Sequence, residues 1–259
     1  MRDRSFRQQY DEEVDQAVEL YKESLPRNAI LSIGDEAVAA IRQQMQIGLT
    51  ELLLCDEVNR IIKRRLGIKD YPAWRRQKLR ILKEYRRAEH WGLRPESPIV
   101  REIQPDHGSH VLVAGETAER AALYLAANGC EVTTVELSSD AMERVMTAAG
   151  KAGLLARVHE CPTGLGHWRP DGVLTAVVCT PSAFAGLTPA EVSKVIALFQ
   201  EATMDGGVHL VETIVAGQDA MSLGELRARY VGWDISIERD GSASRSFVAR
   251  KGPSEQPLA

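Results

Sequence analysis

The chain has 259 residues, 44% of them hydrophobic and 26% charged, with a formal net charge of −4. This is ordinary composition for a soluble globular protein, with ample apolar material for a core, and it argues against a general nucleic-acid binder. No run of 18 or more apolar residues is present, so no membrane span is expected.

The charged N-terminus leads into no apolar segment, so no secretory signal is expected. The four cysteines, at positions 55, 130, 161 and 179, match no zinc or redox spacing, and we read them as reduced thiols of a cytoplasmic protein. Charge is unevenly spread. Residues 60–94 carry 13 Lys/Arg against three acids, a local net of +10, which leaves −14 for the rest of the chain.

The first part reads as helix. Tyr10, Val14, Ala17, Val18, Tyr21 and Leu25 recur at three- and four-residue steps and give one apolar face, closed by Pro26. A second helical pattern covers 35–47. A third starts at Thr50, carries Leu54, Val58, Ile61 and Ile62 on one side, and ends in a basic turn before Gly67. Asp70 before Pro72 signals a fourth, with Trp74, Leu79, Leu82 and Tyr85 expected inward and most arginines outward. Residues 94–108 contain three prolines and little periodicity, and they read as a linker.

Beyond the linker, short apolar runs alternate with helical patterns. Strands are expected at 110–115, 131–137, weakly at 156–160, at 173–179 and at 208–215. Helices are expected at 117–128 and 140–152, the latter capped by Asp140 with Glu143. A further helix opens at the Thr188–Glu191 capping box and closes at Gly206–Gly207, and another is capped by Ser222 and Glu225. Residues 234–238 and 244–249 flank a turn at Asp240–Gly241. This alternation implies a mostly parallel sheet covered on both faces, ending in an antiparallel hairpin. The expected division is a helical N-terminal domain over 1–93, a linker over 94–108, an α/β domain over 109–252 and a disordered tail over 253–259.

In such a sheet, ligands bind beyond the C-terminal strand ends, near the switch point. The first turn there is Gly115–Glu116–Thr117–Ala118–Glu119, and glycine allows it to be tight. The second strand ends in Glu136, 21 residues after Gly115, where an acid can accept both hydrogen bonds of a ribose diol.

The stretch VLVAGETAERAALYLAANGCEVTTVELS resembles the opening of a class I, S-adenosylmethionine-dependent methyltransferase of the small-molecule type, and the closing hairpin resembles that family too. The resemblance covers residues 109–252. It implies a doubly wound, mostly parallel seven-stranded sheet. It also implies that Gly115, Glu116 and Thr117 hold S-adenosylmethionine, with Glu136 on its ribose and Cys179 at the end of the fourth strand. The loop departs from the family pattern. Val113 stands where the family usually has an acid near the cofactor's amino group, and Thr117 and Glu119 stand where it has glycines. These replacements keep a good helix start but crowd the methionine end and add a negative charge there. Three functions therefore stay open: methyl transfer to an unidentified acceptor, a non-catalytic binding or scaffold protein with a lapsed cofactor site, and an RNA-associated protein using the basic helices 60–94.

No catalytic residue is assigned. The turn after the fourth strand lacks the Asn/Asp-Pro-Pro-aromatic motif of amino-methyltransferases; its Thr180 and Ser182 either orient an acceptor or simply make the turn. Cys179 has no partner that would make it a nucleophile and reads as a packed thiol. His159, His167 and His209 have no metal-ligand spacing and read as structural. The basic helices 60–94 admit a solvated face, an acidic protein partner, or RNA with Tyr71, Trp74 and Tyr85 stacking on bases. In the resembled family, segments before the first strand commonly cover the acceptor site, so this part is also expected to shape a pocket or form a homodimer.

Overall fold

The structure, a computed structural model, describes residues 5–42, 50–106, 108–115, 118–135, 138–161, 163–214, 221–240 and 244–253. By its contacts the chain divides into two compact units, Met1–Ile81 and Leu82–Ala259. The expected tail beyond residue 253 lies outside the described residues.

The first unit is helical: α1 (Phe6–Ser24), α2 (Arg27–Arg42), α3 (Thr50–Arg65) and most of α4 (Tyr71–Tyr85). Ser5 opens α1 in a capping box with Gln8. The apolar stripes do what their spacing predicts. Val14 and Val18 meet Ile33 and Ala37 of α2 and Ile61 and Ile62 of α3 in one core, with Tyr10, Tyr21, Leu25, Leu54 and Val58 against it. The second helix starts at Arg27, eight residues before the expected Asp35, because Pro26 lies just outside the helix and interrupts nothing.

Asp70 caps α4, its Oδ1 accepting from the Ala73 amide at 2.9 Å. Leu79 does not point inward: it is 44% exposed. Tyr71, Trp74 and Lys78, at three- and four-residue steps, face α1, and Leu79 falls round the helix from them. Trp74 Nε1 donates to Glu13 at 2.8 Å, and its ring packs against Tyr10 and Tyr71.

The second unit is built on one seven-stranded sheet. Its strands are β1 (His110–Ala114), β2 (Glu131–Val135), β3 (Val158–Cys161), β4 (Leu174–Cys179), β5 (Thr203–Ile214), β6 (Asp234–Asp240) and β7 (Ser244–Arg250). Their order is β3-β2-β1-β4-β5-β7-β6. The first five are parallel, and β7 runs antiparallel between β5 and β6.

Alternation along the strands sorts the core into two layers. Val111, Val113, Val178, Val208 and Leu210 face α6 (Glu119–Ala127) and α7 (Ser139–Ala152). Leu112, Ala114, Val177, Cys179, Val211 and Phe247 face α8 (Pro189–Ala202) and α9 (Leu223–Arg229). The capping boxes expected at Thr188–Glu191 and Ser222–Glu225 are present. Asp140 is not the cap of α7. Ser138 is, because its backbone is extended while its side chain accepts from the Ala141 amide; Asp140 sits in the first turn, where its charge suits the helix dipole.

Two stretches differ from the sequence expectation. Residues 94–108 hold α5 (Pro98–Glu102), and Ile99 and Ile103 join Ala88 in the core layer beside α6. Arg101 pairs with Glu238, and Arg250 with Glu102 at 3.2 Å, holding α5 to the antiparallel edge. The fifth strand starts at Thr203, well before the glycine pair. Gly206 and Gly207 form an irregularity inside it, with a register shift opposite Leu174 and Ala176. A Cβ on Gly207 would lie 2.4 Å from Thr203 Cγ2, so only glycine fits there.

Candidate functional site

The site region lies where β1 and β4, neighbours in the sheet, send their chains in opposite directions. Gly115 follows β1 with φ +102°, a backbone state that side chains avoid, and its amide donates to the Val135 carbonyl at 3.2 Å. A Cβ here would meet Thr180 Oγ1 at 2.0 Å and the Ala183 nitrogen at 3.0 Å. The turn after β4 therefore packs directly on this glycine. Thr180 and Ser182 serve that turn, their hydroxyls 3.3 Å apart.

Glu116, Thr117 and Glu136 lie outside the described residues. Cys179 is fully buried in the layer facing α8, and burial pushes its thiol up to about 12. Any part it takes in ligand binding is through its backbone. Val113 is fully buried in the opposite layer, among apolar neighbours. Glu119 opens α6, and Arg144 Nε lies 3.7 Å from its Oε2 with both side chains exposed to solvent. A partner of this kind is worth under about 1 kcal/mol and only partly offsets the charge.

Next to Gly115, on the α6 side of the sheet, a cleft of about 530 Å³ opens. Its walls are the Gly92–Arg94 turn, Ser97 and Ile99 at the start of α5, Glu119–Ala121 at the start of α6, Val178 and Thr180 at the end of β4, and Glu212 of β5. The size is that of a small-molecule site. Sequence reasoning missed Glu212, Ser97 and Arg120. Glu212 had a signal: it is the one acid in the apolar run 208–215, in step with Val208 and Leu210, so it faces the same layer. Ser97 was hidden in a stretch that reads as linker.

Two polar groups of the cleft lack partners. Ser97 Oγ is buried with no hydrogen bond. The Glu212 side chain has no hydrogen bond or ion pair among the described residues, and burial raises its pKa. No group of three or more potential metal ligands occurs among the described residues.

The histidines take separate places. His159 is exposed, 3.0 Å from Glu131. His209 is fully buried between Thr203, Tyr230 and Trp233, remote in layer from the cleft. In the helical unit the faces of Tyr71 and Trp74 are engaged by Tyr10, Arg7 and Lys78, so these rings pack internally.

Five parallel strands ordered 3-2-1-4-5, with an antiparallel seventh strand inserted before the sixth, separate this sheet from ordinary dinucleotide-binding folds. The fold is that of the class I methyltransferases. No family model matches the chain, and neither does any curated protein. Among solved structures, TehB from Haemophilus influenzae is 18% identical at a TM-score of 0.45, covering 56% of this chain and 58% of its own. The chain thus spans little more than half the length of TehB. The N-methyltransferase NodS from Bradyrhizobium japonicum WM9 is 11% identical at a TM-score of 0.47, covering 71% and 99%. The glycopeptide N-methyltransferase MtfA, complexed with S-adenosyl-L-homocysteine, is 13% identical at a TM-score of 0.47, covering 64% and 89%. Likenesses this distant say nothing of what this chain does, and the fold rests on its own strand order. No described helix is long and apolar enough to cross a membrane.

The described residues of the expected cofactor site are Gly115 and Cys179, with Val113 and Glu119 beside them. Gly115 keeps the turn. The buried Val113 puts no carboxylate on β1 at this point, and Glu119 presents a carboxylate to the cleft.

Proposed function

We propose that this protein is a methyltransferase-like binding protein in which the S-adenosylmethionine site has lapsed, so that the fold serves ligand or partner binding and not methyl transfer. The observation that carries this reading is Glu119. It stands at the start of α6 and lines the cleft beside Gly115, with an exposed arginine 3.7 Å from it. A carboxylate within a few ångströms of a bound carboxylate disfavours binding by about 1–2 kcal/mol in a partly solvated cleft. Methyl transfer by direct displacement depends chiefly on alignment, so losing the groups that hold the cofactor removes the main source of rate.

Restoring the family's glycines tests the reading. The double variant Thr117→Gly/Glu119→Gly is expected to raise affinity for S-adenosylhomocysteine at least tenfold, about 1.4 kcal/mol, by calorimetry. It is also expected to lower stability by about 1 kcal/mol, since it adds glycine at a helix start. No gain in a folded double variant would show that the loop is not what excludes the cofactor.

A further inference from the structure

An acid inside a protein ordinarily has a basic partner, a metal, or a set of hydrogen-bond donors, because leaving its charge unmatched is costly. Glu212 has none of these among the described residues. The other charged groups of its cleft do not reach it. Glu119 carries the same sign of charge as Glu212 and lies 3.7 Å from Arg144. Arg94 has a contact of its own. Arg120 lies against Gly92, where a Cβ would be 3.5 Å from its Nη1. From α5, Arg101 and Glu102 are spent on Glu238 and Arg250. On β7 the residue opposite Glu212 is Ser246, which carries no charge.

A second observation points into the same space. Ser97 lines the cleft and is 6% exposed, and its Oγ has no hydrogen bond among the described residues. It stands at the N-cap position of α5 yet makes no capping bond, so the usual use of such a serine does not explain it. Of the remaining walls, Leu93, Ile99, Ala121 and Val178 are apolar, and Arg94, Glu119, Arg120 and Thr180 are charged or polar. An unmatched carboxylate and an idle hydroxyl beside the apolar part of a cleft of about 530 Å³ describe a receptor for a compact molecule with an apolar body and a cationic, hydrogen-bond-donating end.

We propose that this cleft binds a small organic amine, its protonated nitrogen held by the Glu212 carboxylate and the Ser97 hydroxyl and its apolar body by Ile99, Val178 and Leu93. The ammonium supplies the counter-charge that Glu212 lacks, and the raised pKa of Glu212 is the expected sign of that lack. The assignment rests on the reading that the cofactor does not occupy this cleft.

The full chain titrated at pH 8 with 2-phenylethylamine and with its uncharged counterpart 2-phenylethanol tests this, because neither probe carries an adenosine and so neither reports on the cofactor loop. The amine is expected to bind at least tenfold more tightly than the alcohol. In Glu212→Gln, which keeps the side chain's shape and removes its charge, that preference is expected to disappear. Ser97→Ala is expected to weaken the amine several-fold and leave the alcohol unchanged. Equal affinity of the two probes for the native chain, no measurable amine binding, or an amine preference that survives in Glu212→Gln would each overturn the proposal.

Discussion

Acidification from pH 6.5 towards 3 will cost the α/β unit up to about 5 kcal/mol of stability through His209 alone. Burial holds this imidazole down to about 3, with the Lys251 charge adding to the effect. Its hydrogen bonds explain why the neutral ring suits the site. Thr203 Oγ1 donates its one proton to the Phe199 carbonyl at 2.6 Å, so it accepts from His209 Nε2 at 2.8 Å. Nδ1 is then unprotonated and accepts from Tyr230 Oη at 2.9 Å. A proton on Nδ1 would break this arrangement.

The unfolded chain takes up its proton near 6.5 and the folded chain only near 3. Between those values unfolding binds a proton, so stability falls as pH falls, while above 6.5 the contribution is constant. Glu212, with its pKa raised by burial, acts the other way, since the folded state keeps that proton longer as pH rises. Urea titrations of the native chain and of His209→Gln between pH 7.5 and 4 separate the two. Below about pH 6 the native slope is expected to be steeper by up to about 1.4 kcal/mol per pH unit, and above about pH 7 the slopes are expected to coincide. Parallel slopes would remove His209 as the cause.

Gly115→Ala is expected to destabilise the protein by about 3 kcal/mol or more. Part of this is backbone strain, because φ +102° is outside any region an alanine favours. The rest is the collision with Thr180 Oγ1. Removing that atom in Gly115→Ala/Thr180→Ala is expected to recover about 1–2 kcal/mol and leave the strain, a coupling that a double-mutant cycle reads directly. Strict additivity of the two changes would show that the turn after β4 can move away.

Much of the fold was legible in the sequence, and the places where it was not have physical reasons. Strands β1, β2 and β4 announce themselves because, buried on both faces, they are continuous apolar runs. The hairpin β6–β7 shows through its turn residues. The early part of β5 was hidden by Gly206–Gly207, which look like a stop and act as an irregularity in a strand that starts at Thr203. The stretch 94–108 was hidden by its prolines, although Pro98 sits at the start of α5, where proline is welcome. At the site, the sequence pointed to the Gly115 loop but not to the neighbouring cleft, because Ser97, Arg120 and Glu212 come together from three separate elements with no common spacing.

Calorimetric titration of the native chain with S-adenosylhomocysteine tests the lapse of the cofactor loop most directly. A dissociation constant weaker than about 100 µM, or no measurable heat, is expected. Binding at about 1 µM or tighter would contradict it, and would mean that the cofactor is held in spite of Glu119 and Val113.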